Sequence, residues 1–327
     1  MKLVFVTDLH LANTPPVNRI DNYNESIFEK LEFVATYCVE HNIKHLLIGG
    51  DISHSYSPSD ELMYGLVSIL VQAKLEMYYV YGNHDMQGGN PKYIHKTNFG
   101  LLEKYNWCHN VSKAPVVLSN CVIAGRDYNV EEEVERNWLL PKLPPDASGK
   151  TTLLITHPMV VNEKTLFIDG EFKQINVKEI ETNADVLLCG HYHNGFPKVI
   201  KVRLLEKLHR IVNPGSIARI SLRQAQESYG PRLAHITVSK GKVRVKLVKI
   251  PRKPTEEIFD EENYIRKKKN VRARDSFIHV MRELSQTNVM KDNFVDNLNA
   301  VLEKPPKKLR KVIGKRIIKL LKEKING

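Results

Sequence analysis

Five short blocks hold the side chains that could do chemistry: Asp8-Leu9-His10, Gly49-Gly50-Asp51, Gly82-Asn83-His84-Asp85, Thr156-His157 and Gly190-His191-Tyr192-His193. Carboxylate, amide and imidazole donors in this mixture suit manganese, iron or zinc better than calcium, and the lack of thiolates argues against a structural zinc site. The chemistry such a set serves is hydrolysis of a phosphodiester. Two divalent ions about 3.5–4 Å apart activate a water, neutralise the phosphoryl oxygens and clamp an in-line displacement. At that separation the ions repel each other by roughly 15–20 kcal/mol even at an effective dielectric near 20, taken as an illustrative bound, so an anionic bridge is required. Asp51 offers one, behind two glycines that allow close backbone approach.

The elements that must position these groups read as short apolar runs alternating with helical patterns, as expected when strands are buried under helices in a layered α/β structure. Lys2 to Asp8, Leu46 to Asp51, Met77 to Asp85, Val116 to Gly125, Thr151 to His157 and Asp185 to His191 read as strands. Ile27, Phe28, Leu31, Val34 and Cys38 recur at helical spacing, as do Leu62, Leu66, Ile69 and Leu70. Nearly every strand ends in a residue able to bind a metal or a proton. In open α/β sheets ligands collect beyond the carboxyl ends of strands, so the blocks are expected to converge at one sheet edge. Leu233 to Ile250 reads as a hairpin turned at Lys240-Gly241, and Pro251 to Pro254 as a linker. This divides the chain into 1–250, the catalytic domain, and 251–327, a small basic helical module. In that module Leu309, Ile313, Ile317, Leu320, Leu321 and Ile325 share one helical stripe.

Composition limits the partners. The 327 residues carry 49 Lys+Arg against 37 Asp+Glu, a net charge of +12 that favours a polyanionic partner. From Glu303 to Gly327 there are 10 basic and 2 acidic residues. No run approaches the ~20 apolar residues that cross a bilayer, and the N-terminus lacks the order of a signal peptide, so a cytoplasmic protein without a membrane partner is expected. Cys38, Cys108, Cys121 and Cys189 form no CxxC pair, which signals neither a zinc ribbon nor a disulfide framework.

In this order the five blocks resemble the calcineurin-like metallophosphoesterases. Within that superfamily, Gly50 to Ser59 (GDISHSYSPS) and Asn213 to Ser221 (NPGSIARIS) are similar to segments of the SbcD nucleases and their archaeal and eukaryotic counterparts, the meiotic recombination eleven proteins. The resemblance implies an α/β (α+β) fold, a β-sandwich flanked by helices. It implies that Asp8, His10 and His193 hold a first metal, that Asn83, His157 and His191 hold a second, and that Asp51 bridges them. His84 would be the catalytic histidine, Asp85 would orient and charge a nearby imidazole, and His54 would help position substrate. The implied cofactors are two divalent ions, manganese foremost, with iron, zinc or magnesium as alternatives. The implied activity is trimming of duplex DNA ends and cutting of single strands in recombination, repair or replication. An SbcC-type coiled-coil ATPase would dock on the C-terminal helices, and the nuclease would be a homodimer.

Fold and metal site alone do not choose a substrate. A small-molecule phosphodiesterase or a protein phosphatase on the same scaffold is one rival, and a non-catalytic DNA-end or ATPase-binding scaffold is another. The nuclease-like segments and basic tail weigh against the first, and the intact ligand set against the second. A basic amphipathic C-terminal helix also has a plainer reading, a solvated helix whose apolar stripe lies on its own core. Arg219 and Arg223 are candidates to face phosphate.

Overall fold

The computed structural model describes residues 1–129, 139–162, 174–204 and 207–265. The C-terminal helix expected at Lys307 to Ile325, and the basic tail that contains it, lie outside the described residues. The chain divides into two compact units, Met1–Phe259 and Asp260–Gly327.

Fourteen strands occur among the described residues. β1 (Lys2–Val6), β2 (His45–Ile48), β3 (Glu76–Tyr79) and β4 (Cys108–Asn110) are mutually parallel neighbours. β5 (Val116–Val117), β6 (Cys121–Arg126), β7 (Thr151–Thr156), β10 (Val186–Cys189), β11 (Ile200–Leu204) and β12 (Lys207–Val212) make a second sheet, while β8 (Val160–Val161) and β9 (Ile175–Asn176) pair separately. The hairpin β13 (Arg232–Ser239) and β14 (Lys242–Lys249) adds to the first sheet, antiparallel to β1. The two six-stranded sheets run β14-β13-β1-β2-β3-β4 and β11-β12-β10-β7-β6-β5.

Period-two alternation within apolar runs explains how the layers stack. Leu3, Phe5, Leu47, Tyr78, Ile123, Leu153, Ile155 and Leu188 face one another between the sheets as a single buried core. The intervening Val4, Val6, Leu46, Ile48, Met77 and Tyr79 face outward under α1 (Tyr23–Glu40) and α2 (Asp60–Gln72). Both helices start on side-chain caps, Asn22 accepting from the Glu25 N–H and Ser59 from the Leu62 N–H. Leu154, Leu187 and Cys189 cover the far face of the second sheet with Val160, Val177 and Phe196. The architecture is therefore a β-sandwich flanked by helices, in the mixed α/β class. Among the described residues no helix is long and apolar enough to cross a membrane.

Two local expectations change. Val116 to Gly125 is not one strand: Ser119 and Asn120 turn the chain, the Leu118 N–H donates to the Cys121 carbonyl, and β5 folds back on β6. Pro251–Pro254 does not separate two bodies, because Ile258 and Phe259 are buried in the first unit and Arg219 Nη2 donates to the Lys253 carbonyl at 2.7 Å. The hairpin turn falls at Lys240-Gly241, where φ values of 48° and 71° suit a two-residue turn of the hairpin type. α3 (Phe99–Leu102), α4 (Leu222–Glu227) and α5 (Thr255–Ile258) are single turns or little more.

Lys30 is an exception to the apolar packing of α1. It is 3% exposed, and its ammonium donates to the Ser26 carbonyl and hydroxyl. Burial, aided by the positive charge of Arg219 and Arg19, lowers its pKa from 10.5 to about 7. Because the folded pKa lies below the unfolded one, the unfolded chain binds the extra proton between these values. The lysine's cost is therefore absent above pH 10.5, grows as pH falls, and is complete near pH 7. Replacing Lys30 with Met should raise the denaturant midpoint relative to wild type most at about pH 7, with the gap closing by about pH 10; a gap independent of pH would refute this account.

Candidate metal centre

The strand order places the five sequence blocks together. β1, β2 and β3 are parallel neighbours, so Asp8, Asp51 and Asn83 leave the same edge of the first sheet. β7 and β10 are parallel neighbours in the facing sheet and deliver His157 and His191. The backbone bends sharply to do this: Asp8, His10, Asp51 and His191 all have positive φ, between 48° and 66°. This left-handed region is costly for residues with a Cβ, and such strain persists where surrounding structure over-determines it. Here the Asp8 N–H donates to the Gly50 carbonyl and the His10 N–H to the Asp51 carbonyl, which locks the two turns together.

Donor atoms of Asp8, His10, Asp51 and His193 lie within 4.8 Å of one another, and so do those of Asp51, His157 and His191. Asp51 belongs to both groups. The closest approaches are 3.0 Å between the Nε2 atoms of His10 and His193, 3.2 Å from His157 Nε2 to Asp51 Oδ2, and 3.4 Å from His193 Nε2 to Asp8 Oδ1. Donors each about 2.1 Å from one ion, at tetrahedral or octahedral angles, stand about 3.0–3.4 Å apart. The side chains therefore have the spacing of a shared coordination sphere. Asn83 Oδ1 is moreover buried with no hydrogen-bond partner, and the buried Asp51 Oδ2 and His157 Nε2 face each other at 3.2 Å. Orphaned polar atoms of this kind need an explanation, and a pair of cations supplies it.

Tautomers and charges agree with that fit. His157 Nδ1 donates to the Gly49 carbonyl at 2.6 Å, so Nε2 is the ring atom turned toward Asp51. Burial disfavours a charged His157 ring, but Asp51 and Asp8 outweigh it and lift the pKa to about 10. His191 is driven the other way, to about 3, by burial and by the charge of His157. Burial alone would raise Asp8 and Asp51, yet the surrounding imidazoles hold both below the usual carboxylate value. Where no cation stands between them, His157 is thus the imidazole that keeps a proton beside the two buried carboxylates, while burial holds His10 and His191 neutral.

His84 and His54 flank the first group. The His84 N–H donates to Asp51 Oδ1 at 2.9 Å, and its Nδ1 donates to the His54 carbonyl at 3.0 Å, so His84 Nε2 is left for the site. The His54 ring stacks on that of His84 with centroids 5.0 Å apart, and its Nδ1 lies 3.3 Å from His10 Nδ1. Asp85 departs from expectation. Its carboxylate does not hold an imidazole: it accepts from the Ser53 and Gly82 N–H groups at 2.9 and 2.8 Å. Burial and the charge of Asp51 push its pKa up to about 8. It fastens the β2 loop to the β3 loop rather than charging a ring.

Several positioning residues carry no signal in the sequence. Thr7 Oγ1 donates to Asp8 Oδ2 at 2.7 Å, Tyr23 Oη to the His10 carbonyl at 2.9 Å, and Ser216 Oγ to the Asp8 carbonyl at 2.8 Å. Asn213 to Ser221 therefore supports the Asp8 turn from behind. Within it Arg219 is 1% exposed and cannot meet substrate; beyond it, in α4, Arg223 is paired with Glu227. Tyr128 packs its ring against His191, centroids 5.9 Å apart, and follows β6 at the same sheet edge. The strand-end rule extended to Arg126-Asp127-Tyr128 would have found it.

A helix-flanked sandwich with two donor groups sharing one aspartate defines a hydrolase arranged for a dinuclear metal centre. Residues 1–195 match the family model of the calcineurin-like phosphoesterases, and the chain belongs to that family. It is similar to the DNA double-strand break repair protein Mre11 of Archaeoglobus fulgidus, 23% identical over 250 residues. That match covers 69% of this chain and 52% of the relative, so the chain spans about half the relative's length. Among solved structures it is similar to a dimetal phosphatase from Danio rerio, at 10% identity and TM-score 0.46, covering 76% of this chain and 97% of the other. It is also similar to a 5′-nucleotidase precursor from Thermus thermophilus, at 12% identity and TM-score 0.40, covering 76% of this chain and 54% of the other.

Gly82 tests the geometry directly, because a Cβ there would run into the Asp51 carboxylate. Gly82→Ala should weaken manganese binding by about 10–100-fold, the usual cost of disturbing the support of a metal ligand. Calorimetric titration of the EDTA-treated protein reads this, and an unchanged affinity would separate Asp51 from the metals.

Proposed function

We propose that this chain is a metal-dependent DNA nuclease that works on duplex ends and single strands in recombination, repair or replication. The observation that carries the reading is the pair of donor groups meeting at Asp51, with a half-buried histidine beside them. In this reading Asp8, His10 and His193 hold one ion, Asn83, His157 and His191 the other, and Asp51 bridges. The ions, manganese first among the candidates, supply an acidified water and neutralise phosphoryl charge when bound.

The chain's own residues do the rest. His84 is held from two sides, by Asp51 Oδ1 on its N–H and by the His54 carbonyl on its Nδ1. Only Nε2 remains to hold a proton for the departing sugar oxygen, the role of a general acid. The His54 ring, stacked on His84, keeps that imidazole from turning. Asp85 keeps the loops that bear Asp51 and Asn83 at fixed separation.

DNA is favoured over other phosphoesters by the net charge of +12 and by the likeness to a DNA repair protein. We further propose that the region from 251 to 327 serves partner binding, to a coiled-coil ATPase of the SbcC type, and that the nuclease acts as a homodimer.

His84→Ala should keep manganese affinity unchanged and lower kcat on linear DNA by about 10²–10⁴. Unaltered cleavage would remove His84 from the reaction. Turnover of linear DNA, a cyclic nucleotide and a phosphopeptide should be compared in manganese; hydrolysis of the phosphopeptide without cleavage of DNA would replace the nuclease by a phosphatase.

A further inference from the structure

A second cationic feature lies away from the metals. Val199, just before β11, Lys201 and Arg210 of the second sheet, and His235, Thr237, Val243, Arg244, Val245 and Lys246 of the first line a groove of about 520 Å³. Its floor is apolar: Val243 is buried in the inter-sheet core, with Val199 and Val245 packed against it. Its walls carry Lys201, Arg210, Arg244 and Lys246, and no carboxylate lines it. None of the four cations has a carboxylate partner among the described residues.

Register fixes its place. His235 and Thr237 pair with Val4 and Lys2, at the start of β1, and Arg210 pairs with Val186, at the start of β10. Asp8 and His191 follow the opposite ends of those two strands. At about 3.3 Å per residue the groove lies ~13–20 Å from the metal centre along the strands.

Basic side chains on the edge strands β11 and β14 would by themselves be explained as protection against edge-to-edge pairing. That explanation does not reach Arg210, which lies on the inner strand β12 directly opposite Lys201. Like charges facing each other across strands destabilise a sheet, and an anion relieves them. Of the lining residues, His235 lies on the α1 side of the first sheet, edge-on to Tyr37 and His41 with centroids 5.8 and 5.7 Å away. A positively charged groove that tracks the backbone is how single-stranded nucleic acid is held without sequence preference.

We propose that this groove binds the sugar–phosphate backbone of single-stranded nucleic acid as an anchoring site separate from the metal centre. The choice of nucleic acid over another polyanion rests on the nuclease reading. The groove holds a strand at the end of the sandwich remote from cleavage.

The test is anisotropy of a labelled oligothymidylate strand bound to the full chain in EDTA, where no cleavage occurs, across a salt series. Lys201→Glu/Arg244→Glu/Lys246→Glu keeps these edges charged and should weaken binding at least tenfold at low salt. Loss of three contacts should also flatten the log affinity against log salt slope by about 2, at ~0.7 per phosphate. Lys201→Ala/Arg244→Ala, which alters only exposed positions, should flatten it by about two-thirds as much, ~0.7 for each of two contacts. Hydrolysis of bis(4-nitrophenyl) phosphate in manganese should be the same in both variants as in the wild type. An unchanged slope in both variants would overturn the anchoring site, as would polyglutamate displacing the strand as well as competing oligothymidylate does. If the slope changes while no protein hydrolyses any phosphodiester, the nuclease reading fails and the groove stands.

Discussion

Everything at the metal edge follows from burying two carboxylates where water cannot reach them. Asp8 and Asp51 are wholly inaccessible, and both point among imidazoles rather than toward lysine or arginine. A buried charge is stable only when paired and hydrogen-bonded. Histidine is a conditional partner: it neutralises a carboxylate while protonated and becomes a metal ligand once the proton leaves. At His157 the same ring atom can therefore hold a proton beside Asp51 or give its lone pair to a cation. A lysine in place of any of these histidines would satisfy the charge permanently and leave nothing for a metal to replace.

That constraint is met by the sandwich, not by the site residues alone. Parallel neighbours end together, so two parallel cores set face to face bring their strand ends to one edge without long loops. Glycine then permits the close approach: a side chain at Gly50 or Gly82 would press on His157 or on Asp51. Four ligand-bearing residues accept left-handed backbone, and the cost is offset by hydrogen bonds between adjacent turns and by the Asn213 to Ser221 loop packed behind Asp8.

How much of this is legible in the sequence depends on whether a residue's surroundings are local. The ligand blocks stand out because each ends an apolar run, and the parallel β1-β2-β3 order follows from the intervening helices. The core faces follow from alternation within those runs. β11 and β12 are harder to read because Lys201, Arg203, Lys207 and Arg210 interrupt their apolar positions, which is what a half-exposed sheet edge allows. Asp85 misleads for a different reason. Its position beside His84 suggests an imidazole partner, but its oxygens are taken by two backbone N–H groups from separate loops, a contact set by how β2 and β3 end side by side. Arg219 likewise reads as a phosphate ligand until the segment from 251 to 259 covers it. Residues whose role is fixed by what crosses over them carry no periodic signal.

On the nuclease reading, the two ends of the sandwich would divide the labour in a way the chemistry favours. At the metal edge, charge is concentrated, buried and matched to a single phosphoryl group; binding there must change as the reaction proceeds, since uniform grip on substrate and transition state adds nothing to turnover. At the other end the cations are spread, partly solvated and unpaired, suited to a backbone whose chemistry does not change. Screening by salt acts strongly on the second and weakly on the first, because only exposed charges are shielded over a Debye length. On the proposed nuclease reading, holding and cutting would be governed by different physical variables, so that affinity for a strand would vary with ionic strength while the geometry around Asp51 stayed the same.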